Sequence, residues 1–117
     1  MIIDIKNPFS LLRKKITLRF DVYAWIKMCE VAGVEFHELD KLNERQLFLT
    51  WMYGAYLSAC AYGFKKPRYS AEYITRLYRW YYVNDVGTLD AIREVMERSK
   101  ILDKEVKEWA RQSEKKK

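Results

Sequence analysis

A chain of 117 residues with one histidine and two cysteines offers little to a soft metal. His37 stands alone, and Cys29 and Cys60 lie far apart with no neighbouring cysteine, so the usual zinc ligand set cannot be assembled within one chain. Each cysteine falls inside an apolar helical pattern and reads as a free thiol rather than a disulfide partner. Glycine is scarce as well. Gly33, Gly54, Gly63 and Gly87 are isolated, which excludes a glycine-rich loop cradling a phosphate. The opening MIIDIKNPFSLLRKK lacks the basic stretch, long apolar segment and small-residue cleavage site of a secretory signal, and cytoplasmic residence is expected. No cofactor is expected.

Aromatic residues are abundant: nine Tyr, five Phe and four Trp in a composition that is half apolar. Such a body does not remain disordered, and its large rings either fill a core or supply rigid contact area at an interface. The length suits one hydrophobic core. One domain is therefore expected over residues 1–102, followed by a basic helix or tail over 103–117. Of the net charge of +6, residues 104–117 carry half, with six basic and three acidic side chains. The remainder is too diffuse to argue for nucleic acid without a patch created by the fold.

Ile16, Leu18 and Phe20 alternate with Thr17 and Arg19, the period of a strand with one buried face. Residues 1–5 can pair with it as a hairpin. From Asp21 the period changes to that of an amphipathic helix, with Val22, Trp25, Ile26, Cys29 and Ala32 inward. Asp21 is placed as N-cap, Phe20 and Trp25 as a hydrophobic staple, and Gly33 as the left-handed terminator. Residues 34–39 read as one loose turn. Asn43 then caps a second helix, with Gln46 returning a hydrogen bond. A third helix opens at Ser70, with Ile74, Leu77, Tyr78 and Tyr81 inward. After a break over 84–87, a fourth runs over about 88–99, with Leu89, Ile92, Val95 and Met96 inward.

The stretch QLFLTWMYGAYLSACAYGF, residues 46–64, has no charged side chain. As a helix it would be about 28 Å long, close to the thickness of a bilayer core. Its Gln, Thr, Ser and glycines oppose insertion, and its tyrosines recur through the middle instead of forming interfacial belts. The neighbouring amphipathic helices also need a protein core. The fold expected is therefore mainly α: a small bundle of four to five helices around a central apolar helix, with a short N-terminal strand or hairpin and no membrane span. Ala55, Ala59 and Gly63, four apart, form a small-residue seam widened by Gly54 and Ser58. Aromatic surface that short helices leave uncovered would invite a partner or self-association.

No constellation for catalysis emerges, and the chain is not expected to be an enzyme. His37 sits among solvated acids without a nucleophile, and the carboxylate pairs of the last helices have basic neighbours. Protein-binding candidates are Trp51, Tyr53, Tyr56, Ala59, Tyr78 and Trp80, chosen for size and edge position. The alternative is a small basic nucleic-acid-binding protein of helix-turn-helix type, using Lys65, Lys66, Arg68, Arg76 and Arg79. The helix that would read bases, YSAEYITRLYRWYY, has many bulky rings and few short hydrogen-bonding side chains, so nucleic acid is not the expected partner.

The order KITLRFD, VYAWIKMCEVAGVEF, ELDKLN, RQLFLTWMYGAYLSAC, KKPRYSAEYITRLY and DAIREVMERS resembles the small tail assembly chaperones of long-tailed bacteriophages. The likeness covers roughly residues 15–100. Trp51 to Tyr56 match the family's apolar run with a small residue after an aromatic, and Pro67, Ser70 and Glu72 match the opening of its following helix. Trp80, Tyr81, Tyr82 and the closing lysines lie outside that pattern. The resemblance implies a non-enzymatic protein in the cytoplasm of an infected host. It would bind the long helical tape-measure protein before the tail tube polymerises, as a homo-oligomer along that client.

Overall fold

The structure, a computed structural model, describes residues 1–12 and 14–99. They form β1 (Ile2–Lys6), β2 (Lys15–Arg19), α1 (Val22–Ala32), a 3-10 helix (Phe36–Lys41), α2 (Glu44–Tyr62), α3 (Ala71–Asn84) and α4 (Val86–Arg98). The chain is thus mainly helical with an N-terminal antiparallel hairpin. The basic helix or tail expected over 103–117 lies outside the described residues.

Alternation decides the hairpin. Ile3 pairs with Leu18 and Ile5 with Ile16, which sends Ile5, Ile16 and Leu18 into the core while Asp4, Lys6, Lys15 and Thr17 face solvent. Asn7 closes the long connection. Its N–H bonds the Lys14 carbonyl at 2.9 Å and its Oδ1 accepts from the Phe9 N–H at 3.0 Å. Its amide also donates to the hydroxyls of Tyr73 at 2.9 Å and Tyr69 at 3.3 Å, tying the hairpin to α3. Tyr81 adds a second tie by donating to the Lys6 carbonyl.

The helix starts follow their capping residues. Asp21 accepts from the Ala24 N–H at 2.9 Å, Asn43 and Gln46 exchange bonds at 2.8 and 3.2 Å, and Ser70 accepts from the Tyr73 N–H at 3.2 Å. Gly33 ends α1 at φ 67°. The loose turn expected over 34–39 is instead the approach to and first part of a 3-10 helix, Phe36–Lys41, in which Glu35 and Glu38 make a capping box. The break expected over 84–87 shrinks to Asp85. Its N–H bonds Tyr81 O at 2.8 Å, ending α3, while its carbonyl accepts from the Thr88 N–H at 3.2 Å, starting α4.

The buried stripe of α1 differs from the expected one. Ala24, Trp25 and Met28 are buried, whereas Val22 is exposed and Ile26, Cys29 and Ala32 are half-buried. The cause is the backbone of α2, which approaches Ala24 and Met28 at Gly54. Close approach occurs at Gly54, one of the two residues that widen the expected seam; of the seam itself Ala55 is buried, Ala59 half-buried and Gly63 exposed. α2 packs on α1, β2 and α3, and α4 packs on α3 and β1. No helix among the described residues is long and apolar enough to cross a membrane.

Candidate functional site

The six aromatic and small-residue candidates do not share one surface. Trp51 is a core residue, set edge-on to Phe20 at 5.8 Å and to Trp25 at 5.0 Å between ring centroids. Tyr56 is also buried, and its hydroxyl accepts the backbone N–H groups of Arg68 at 2.8 Å and Tyr69 at 3.1 Å. It fastens the α2–α3 loop. Tyr53 stacks on Tyr56 at 6.2 Å and is half-buried, as is Ala59. Trp80 is half-buried and edge-on to Tyr81.

Tyr78 belongs to a graded strip. Buried Phe48 meets Tyr78 at 5.4 Å, and half-buried Tyr78 stacks on Tyr82 at 6.3 Å. Tyr82 is exposed, and the strip adjoins in sequence the exposed Val83 and Val86 at the α3–α4 joint. Sequence periodicity had marked the inward edge of this strip at Tyr78 and left its solvent end unassigned. A helix wheel gives which residues share a face, but not where the neighbouring helix stops covering it.

The cationic candidates are all at the surface. Lys65, Lys66 and Arg68 are exposed in the loop between α2 and α3, and Arg76 and Arg79 line a shallow depression on α3 with Ala71, Glu72 and Thr75. Two exposed rings that the sequence reading did not name as site candidates, Tyr62 and Phe64, stand at the head of that loop. Their signal was in plain view as aromatics next to a basic run, but periodicity had absorbed both into the apolar helix.

The titratable groups of the interior serve packing. Burial, with the nearby charges of Glu35 and Glu30 adding to it, pushes the Cys29 thiol up to about 11. Burial likewise raises the hydroxyls of Tyr56 and Tyr81, in Tyr56 against the two backbone N–H bonds that it accepts. Both cysteines are free thiols. His37 is exposed on the 3-10 helix, and among the described residues no His, Cys, Asp and Glu side chains group as a metal site.

Compared with protein-family models, curated proteins and solved structures, the chain matches none.

Proposed function

We propose that this chain is a non-enzymatic assembly chaperone that binds a long helical client, in the manner of phage tail chaperones holding a tape-measure protein in the host cytoplasm. The observation that carries this reading is the apolar corner at the α3–α4 joint. Tyr82 is 65% exposed, Val83 80% and Val86 54%, next to the half-buried Tyr78. An exposed ring and two β-branched side chains at one joint are a cost to an isolated monomer and a contact for an amphipathic helix.

In this reading α2 is the central helix of a small bundle, supported by its packing on α1, β2 and α3. Burial of Trp51 and Tyr56 moves the expected groove outward, to Tyr78, Tyr82, Val83 and Val86. Several copies spaced along one client would add weak contacts through effective concentration.

The test is co-expression with a long coiled-coil protein from the same genome. Wild type is expected to keep that protein soluble and to co-elute with it. A variant carrying Tyr82→Ser, Val83→Asp and Val86→Asp, all at exposed positions, is expected to fold but not to co-elute. A client that stays insoluble with wild type, or that binds the variant equally well, would overturn the proposal.

A further inference from the structure

The end of α2 departs from the rule that the end of α1 obeys. In both, an N–H returns to a carbonyl five residues earlier: Val34 to Cys29 at 3.2 Å, and Lys65 to Cys60 at 2.9 Å. This closure places the intervening residue in the left-handed region, where glycine is the unstrained choice. α1 puts Gly33 there at φ 67°, whereas α2 puts Phe64 there at φ 54°. A glycine stands one position away, Gly63 at φ −85°, where its freedom is not used.

A bulky side chain in that region is strained, and strain persists where something else favours it. Packing does not favour it, because Phe64 is 99% exposed. Its surroundings are cationic. Lys65, Lys66 and Arg68 are exposed, and residues 61–71 contain no Asp or Glu. Tyr62 is also exposed, with one ring face held by the Arg19 guanidinium 3.6 Å from the centroid. The loop is anchored by the Arg68 and Tyr69 N–H bonds to the Tyr56 hydroxyl.

We propose that Tyr62, Phe64, Lys65, Lys66 and Arg68 form a binding site for single-stranded nucleic acid. Unpaired bases stack on the exposed rings while phosphates pair with the cations, a combination that tolerates any sequence because every base has a flat face. A duplex buries those faces, and an acidic peptide uses the cations but leaves the rings in water. The site lies on the α2–α3 loop, so it stands or falls separately from client binding at the α3–α4 joint.

Fluorescence anisotropy of a labelled oligouridine with the full chain tests this. Binding is expected, weakening about twentyfold between about 50 and about 200 mM salt for three phosphate contacts. Phe64→Gly is expected to lose about tenfold in affinity, the scale of one lost stack, without lowering the thermal midpoint. A Lys65→Glu, Lys66→Glu variant, altered only at exposed positions, is expected to lose binding as well. No anisotropy change at about 50 mM salt, equal affinity for the Phe64→Gly variant, or equally tight binding of a labelled polyglutamate would each overturn the proposal.

Discussion

Gly54 lies so close to the Ala24 carbonyl that a Cβ at that position would stand 2.5 Å from the oxygen and 3.0 Å from the Met28 nitrogen. Those atoms are backbone and cannot swing aside. At an exposed helix site Gly→Ala would stabilise by about 1 kcal/mol. Here Gly54→Ala is expected to destabilise by about 1–3 kcal/mol, because α1 must move off α2. Urea unfolding checks the sign, and a stabilised variant would mean the two helices are not in this contact.

Asp21 joins three elements through one carboxylate. It caps α1 at Ala24, accepts from the Ser58 hydroxyl at 2.7 Å, and pairs with Arg19 at 2.8 Å. Asp21→Ala is expected to cost about 2–3 kcal/mol, combining a lost cap with a buried hydroxyl left without its acceptor. Ser58→Ala is expected to cost only about 1 kcal/mol, since it removes donor and hydroxyl together. Equal losses in chemical denaturation would show that the link to α2, and not the cap, carries the effect.

The two left-handed helix ends make opposite predictions. Gly33 has open space around it, so Gly33→Ala meets no clash, yet it is expected to lose about 1 kcal/mol to backbone strain alone. Phe64→Gly is expected to gain a similar amount, about 1 kcal/mol, by relieving that strain. Thermal melts of the pair should therefore shift in opposite directions.

Alkaline conditions should unfold the chain sooner than neutral ones. Cys29, Tyr56 and Tyr81 each hold their proton more tightly folded than their ordinary values would allow. Above about pH 9 the unfolded thiol gives up its proton first, so the native state binds more protons and stability falls as pH rises. The loss begins near the ordinary thiol value of 9.0 and, for Cys29, continues to about 11. Urea midpoints measured from neutral pH upward check this, and a midpoint that holds or rises through that window would contradict it.

The same burial should blunt the reactivity of Cys29. With its thiol pushed up to about 11, the thiolate fraction at mildly alkaline pH falls about a hundredfold below that of an ordinary thiol. In a Cys60→Ser background, alkylation is expected to be slow until the chain unfolds. Labelling at the rate of free cysteine would refute the burial.

Local signals account for what could be read without the fold. Asp21, Asn43 and Ser70 announced helix starts because a cap bonds a backbone N–H within its own first turn, and Gly33 announced a stop for the same reason. Alternation over 16–20 gave the strand. Inward positions on α3 and α4 followed periodicity, since those helices are strongly amphipathic. Where the whole face was apolar, as on α2, periodicity could not say which rings were core. Trp51 and Tyr56 were indistinguishable from Tyr62 until their neighbours were in place.

The order of the strand and four long helices, the caps at Asp21, Asn43, Ser70 and Gly33, and the mainly helical class were thus properties of the chain itself, because each rests on contacts between residues a few positions apart. Only tertiary structure decided that Gly54 sets the approach of α1, that Asn7 binds α3 across the fold, and that Phe64 and Tyr82 remain in water. Those outcomes depend on which surfaces meet over long separations, and no local pattern of apolar and polar residues encodes that.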